Sequence, residues 1–122
     1  MYLGLDLGTS GLRALLVEEH GSIIGSAEAS YSVAHPHSGW SEQNPADWTV
    51  ACEKAMASLR AEFPTAFSAL RAIGVSGHMH GATLLDAAGQ VLRPCMLWND
   101  TRAHEEAQQL DAMASFRYES WP

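Results

Sequence analysis

Residues 2–25 read YLGLDLGTSGLRALLVEEHGSIIG, and the fold turns on how this stretch is read. YLGLDL (2–7) is short and apolar and predicts a buried strand. LRALLVE (12–18) predicts a second strand, joined to the first by the turn GTSG. EHGS, with His20-Gly21 near its tip, is a hairpin turn into a third strand over 22–32. Three consecutive strands joined by tight turns make an antiparallel meander. Asp6 is out of character in it. A carboxylate buried at a strand end is costly unless it is paired, hydrogen-bonded or bound to a metal. Gly8 and Gly11 let the backbone turn tightly and approach a ligand closely. Thr9 and Ser10 offer hydroxyls, and the amides of such a turn can face phosphate oxygens. A carboxylate beside a phosphate cradle makes sense if Mg2+ bridges them, directly or through water. A solvent-exposed turn with an incidental Asp fits the same spacing equally well. No Gly-Lys-Ser/Thr follows, so this is not a P-loop.

Further along, a loop rich in His, Pro, Ser and Gly (33–44) precedes NPADWTVACEKAMASLRAEF. Asn44 is a good N-cap, Pro45 suits the first helical position, and Asp47 complements the helix dipole. Trp48, Ala51, Cys52, Ala55, Met56 and Leu59 form one apolar face of a helix ending near Phe63-Pro64. LRAIGVS (70–76) predicts a fourth strand, ending in GHMHG. Residues 82–86 and 91–97 predict two more strands around the turn AAGQ. NDTRAHEEAQQLDAMAS predicts a second helix, capped by Asp100 or Thr101. The class is α/β with a mixed sheet: a three-stranded meander, then helix, strands and helix.

The 122 residues suit one domain, and 47% apolar content is that of a globular chain. A net charge of −7 argues against nucleic acid or an anionic membrane as partner. It leaves a phosphorylated small molecule open, since local amides and Mg2+ outweigh global charge. Cys52 and Cys95 stand far apart in no metal or disulfide pattern, which fits a reducing, cytoplasmic compartment. No basic leader precedes the first apolar run, and no run approaches the length of a membrane span.

GLDLGTSGLRALLVEEHG resembles the first phosphate-binding hairpin of the FGGY carbohydrate kinases, relatives of actin, hexokinase and Hsp70. SGHMHGATLLDAAGQVLRPCMLWNDTR resembles the second signature of that family, in its xylulokinase form, and WSEQNPADWTVACEKAM resembles the segment between them. The resemblance covers about residues 1–112. It implies a partial actin-like (ribonuclease H-like) ATPase domain, and a function as ATP-dependent kinase of D-xylulose with ATP and Mg2+ as cofactors. Ribulose, gluconate or glycerol are the alternatives within the family. By this resemblance Asp6 matches the acidic residue of the phosphate and Mg2+ site. Gly8, Thr9 and Ser10 match the phosphate turn, and Arg13 matches the basic position after it. Met79 and His80 match the pair that contacts the ketose, with His78 where Gln is more usual. Trp98, Asn99, Asp100 and Arg102 match the segment closing the sugar pocket.

Blander readings stand beside these. His78 and His80 mimic a metal pair, but two ligands make a poor site. His35 and His37 read as loop residues, Trp40 and Trp48 as packing and loop anchors, and the carboxylates of the second helix as a solvated face. The resemblance implies an incomplete N-terminal kinase domain over 1–122, with a divergent tail at 113–122. The catalytic base and the adenosine-binding motif match nothing here, and the isolated chain is expected to be inactive. An open sheet edge is expected to promote self-association. The rival from another class is an inactive fragment that only binds sugar, nucleotide or a partner chain.

Overall fold

The computed structural model describes residues 1–113. The meander forms as the alternation dictates, with β1 (Tyr2–Leu7), β2 (Gly11–Val17) and β3 (Ile23–Ser30). β1 and β2 pair antiparallel from Tyr2–Val17 to Leu7–Leu12, and β2 pairs antiparallel with β3. The two-residue β4 (Glu42–Gln43) precedes α1 (Pro45–Glu62) and the one-turn α2 (Pro64–Ser68). β5 (Ala72–Ser76), β6 (Cys95–Met96) and α3 (His104–Met113) complete the described chain. The main sheet runs β3-β2-β1-β5, and β5 lies parallel to β1. The helical crossover between β3 and β5 is what permits that parallel pairing.

α1 begins as its sequence requires. The Asn44 side chain accepts from the Ala46 N–H, Pro45 occupies the first turn and Asp47 lies near the positive end of the dipole. One face of the sheet supplies Leu3, Leu5, Leu12, Ala14 and Leu16; the helix supplies Ala51, Ala55 and Leu59. The small residues Ala14, Ala51 and Ala55 leave room for helix and sheet to approach, and Leu59 fills the core beside them.

Four expectations need correction. Residues 82–86 and 91–97 do not form two regular strands. Apart from β6, they touch through the single bridges Ala82–Met96 and Leu85–Val91. Asp86 organises the intervening turn by accepting from the N–H groups of Ala88 and Gln90. Leu84, Leu85, Val91 and Leu92 are exposed, so no apolar face drives a longer ladder. Secondly, the loop 33–44 contains β4, paired with β6 through Glu42–Met96 and Gln43–Cys95. Thirdly, neither Asp100 nor Thr101 caps α3, which begins at His104. Fourthly, Asp6 is exposed, not buried. The expected tail at 113–122, beyond Met113, lies outside the described residues.

β5 is an edge strand among the described residues, and all five of its residues are exposed. Ile73 and Val75 thus present apolar side chains at an open edge.

Candidate functional site

β1 and β5 are parallel neighbours, so their carboxyl ends lie side by side. Asp6 is in register with Ser76, whose hydroxyl donates to an Asp6 carboxylate oxygen. The turn 8–11 leaves the end of β1, and Gly77 to Gly81 leave the end of β5. Two motifs seventy residues apart in sequence therefore emerge at one place. Ligands of open α/β sheets characteristically bind beyond strand carboxyl ends.

The turn opens onto a cleft of about 660 Å3 lined by residues including Asp6, Gly8, Ser10, Arg13, Glu28 and Ser30. Gly11 is required by the neighbouring strand. A Cβ on it would stand 2.8 Å from the Ala29 carbonyl oxygen, which is fixed backbone. A Cβ on Gly8 would meet the Gly11 carbonyl oxygen at 3.2 Å. Gly8 donates its N–H to that oxygen at 2.9 Å, closing the turn. Arg13 lies opposite Asp6 across β1 and β2, but its guanidinium donates from Nε to Glu28 at 2.7 Å. Tyr31 donates its hydroxyl to the Gly8 carbonyl at 2.7 Å. Burial, and then the negative charge of Asp6, push the Tyr31 phenol above its ordinary pKa.

On the second segment, Met79 is 69% exposed and His80 is exposed. His80 has φ of 60°, the only non-glycine residue with positive φ among those described. A side chain held in the left-handed region is strained, and such residues cluster at active sites and ligand clamps. His78 is half-buried, with its ring centroid 5.5 Å from that of Trp48 and no hydrogen-bond partner for Nε2.

Trp98 and Asn99 are exposed. Asp100 is not, its side chain being 4% exposed. It accepts from the Ser41 N–H at 2.8 Å, from the Arg102 N–H at 3.0 Å, and from the Arg102 guanidinium. Both of its oxygens are thus engaged, which separates it from Trp98 and Asn99 as a surface contact. The hydrogen bonds from Arg102, opposed by burial, hold the Asp100 carboxyl well below the usual carboxylate range. Arg102 also pairs with Glu42 at 2.6 Å and stacks over the Trp40 ring at 3.6 Å. Arg93 donates to the same Glu42 oxygen at 2.9 Å. This cluster fastens the segment 98–102 to β4 and to the histidine-rich loop.

Two residues, Gln43 and Glu42, gained importance only in three dimensions. Gln43 reaches the phosphate turn through Thr9, Glu42 pairs with Arg93 and Arg102, and neither had a role legible along the chain, while Trp48, read there as an anchor, holds Gln43. A run of polar residues, Ser41-Glu42-Gln43, directly before a helix cap was the available signal, since all three are buried. Trp40 and Trp48 act as the anchors expected of them, one on Arg102 and one on Gln43.

A mixed sheet with a glycine-closed turn and an exposed acidic side chain at one strand end, beside a histidine-bearing loop at the next, defines an α/β domain with a candidate ligand cleft at its strand ends. Comparison with known proteins makes this specific. The profile of the FGGY family of carbohydrate kinases, N-terminal domain, matches residues 1–118, and the chain belongs to that family. It is 46% identical over 115 residues to the xylulose kinase of Klebsiella pneumoniae, covering 94% of this chain and 23% of that protein. A solved xyloylose kinase from Brucella ovis superposes with a TM-score of 0.92 at 59% identity, over 95% of this chain and 24% of that one. The xylulose kinase of Rhodospirillum rubrum gives 0.85 at 32% identity, over 93% and 23% of the two chains. The architecture is the actin-like one of these kinases. The chain spans about a quarter of the length of the relatives it matches. No described helix is long and apolar enough to cross a membrane.

Proposed function

We propose that this chain forms the phosphate-facing and sugar-facing part of an ATP-dependent kinase of a ketopentose, D-xylulose, acting in the cytoplasm. The observation carrying this reading is the adjacency of the two motifs at the joined ends of β1 and β5, tied by the Ser76–Asp6 hydrogen bond. Gly8, Thr9 and Ser10 address phosphate oxygens, and Arg13 supplies a cation at the rim of the cleft. Met79 and His80 address the sugar, the first by a polarizable apolar contact and the second by hydrogen bonding. Trp98 and Asn99 close over it. Asp100 acts from behind, through its engagement of Arg102 and the Ser41 amide.

The residues fit Mg2+. Asp6 is an exposed carboxylate on the lining of the cleft, beside the turn. Mg2+ is held by one or two carboxylates together with water and substrate phosphates, without an all-protein cage. Among the described residues no three His, Cys, Asp or Glu side chains gather as such a cage would require. Bound there, the ion would neutralise charge on the phosphoryl oxygens during transfer.

An amide-shift titration with D-xylulose tests the sugar half. Shifts clustered at residues 76–81, absent in His80→Ala, support it; a flat response at millimolar sugar counts against it. ADP release in the presence of D-xylulose, measured on a whole kinase carrying this chain as its N-terminal part and abolished by Asp6→Ala, tests the transfer half. Retained sugar binding with no ADP release would favour the second reading, a domain that binds without turning over. Self-association through the Ile73 and Val75 edge is read out by size exclusion, where a monomer at high concentration would refute it.

A further inference from the structure

We propose that Gln43 and Tyr31 are positioning residues that set the peptide orientation of the turn Gly8–Gly11, turning its carbonyls inward and leaving its amides for an anion. The inference rests on the phosphate reading of that turn and names what makes it competent.

A turn presents carbonyls and amides, and an anion is repelled by the first and bound by the second. Here all four carbonyls are taken by donors of the protein. Tyr31 Oη donates to Gly8 at 2.7 Å, and Gln43 Nε2 donates to Thr9 at 2.6 Å. The Tyr31 N–H donates to Ser10 at 3.2 Å, and the Gly8 N–H to Gly11 at 2.9 Å. The N–H groups of Thr9 and Ser10 donate to no acceptor among the described residues, and both residues are exposed. This division is the requirement for anion binding by backbone.

Gln43 is built to hold its share. It is 3% exposed, and its backbone is fixed by pairing with Cys95. The Trp48 indole N–H, a donor only, reaches Gln43 Oε1 at 3.0 Å. That contact forces the amide nitrogen toward Thr9, so the side chain has one usable orientation. Trp48 in turn packs against His78, beside Met79 and His80. The clamp on the phosphate turn is thereby in contact with the segment proposed to hold the sugar.

The test is an amide-shift titration of the full chain with magnesium sulfate against a magnesium chloride control, sulfate being a tetrahedral anion whose charge is constant between pH 5 and 8. The expected result for the unaltered protein is sulfate-dependent shifts at Thr9 and Ser10 at both pH values. Gln43→Glu keeps the acceptor for Trp48 but sets a carboxylate oxygen against the Thr9 carbonyl. At pH 8 its sulfate affinity should fall about tenfold, the scale of losing one enclosed hydrogen bond. Burial raises the pKa of a carboxyl, so lowering the pH to 5 favours its protonated form, which donates its O–H to Thr9 and restores affinity. A purely structural role for Gln43 predicts no such rescue. Tyr31→Phe, which frees the Gly8 carbonyl, should weaken sulfate binding independently and serves if Gln43→Glu fails to fold. Undiminished sulfate binding by Gln43→Glu at pH 8 overturns the positioning role while leaving the anion site standing. Absence of sulfate shifts in the unaltered protein overturns the phosphate reading itself, and the positioning role with it.

Discussion

The meander with its helix and the segment 77–102 are held together by different forces. In the first, aliphatic side chains alternate along β1 and β2 and meet the Ala51, Ala55 and Leu59 face of α1. In the second, the ladders are two residues long, and Leu84, Leu85, Leu92 and Trp98 are exposed. Beside the buried Cys95 and Leu97, its coherence comes from Glu42, Arg93, Asp100 and Arg102, which link β4 to the chain on either side of β6. Apolar burial fixes a scaffold wherever volume is filled, whereas ion pairs and hydrogen bonds fix a few groups in particular orientations. The site stands where the two regimes meet.

The sharpest way to break this contrast is a pair of truncations. Leu59→Ala should cost about 2–5 kcal/mol, because a fully enclosed side chain leaves a cavity. Leu92→Ala should stay within about 0.5 kcal/mol, since Leu92 is exposed. Urea unfolding measures both, and equal losses would erase the distinction. Next, Gly11→Ala forces a Cβ against the Ala29 carbonyl and should cost about 1–3 kcal/mol, as overpacking does. Gly4→Ala meets nothing within 4 Å and should be tolerated in the same assay.

A smaller effect should appear only in acid. Asp100 has a lowered folded-state pKa, so the unfolded chain binds more protons as pH drops below the ordinary aspartate pKa of about 3.9. Its contribution is therefore complete above that value and lost as pH falls toward the folded-state value. Thermal melting between pH 6 and 2.5 should show a shallower acid limb in Asp100→Asn than in the unaltered protein; parallel limbs would refute the assignment. Smallest of all, Arg13→Ala should change stability by less than about 1 kcal/mol, because its pair with Glu28 is solvent-exposed. If Arg13 serves the cleft as proposed, the same variant weakens sulfate binding without moving the melting temperature.

The scaffold was legible because its signals are local. Leu12, Ala14 and Leu16 at period two, and Asn44-Pro45 at a helix start, carry their structure within a few residues. The hairpin around Gly89 was over-read as two strands. Leu84, Leu85, Val91 and Leu92 have strand chemistry but no apolar surface to cover them among the described residues. In the site, Asp6 was found for a reason the structure corrects, since its carboxylate is exposed and hydrogen-bonded, not buried. Asp100 was placed with Trp98 and Asn99 by the resemblance of the whole segment, and the structure adds that its oxygens are engaged by Arg102 and Ser41. Gln43 was invisible because its meaning depends on Thr9, 34 positions earlier. Side-chain clamps between distant segments leave no periodic trace.

The bond between Ser76 and Asp6 has a temporal side. It joins residues 70 positions apart, whereas the β1, β2 and β3 pairings close over single turns. Loop-closure entropy makes the long closure the slower one, so the meander zips before β5 arrives. The cleft lined by β1 to β3 can therefore form early, whereas the junction of the two motifs at the ends of β1 and β5 is among the last parts of the described fold to form. Pulse-labelled hydrogen exchange should show β2 amides protected before those of β5.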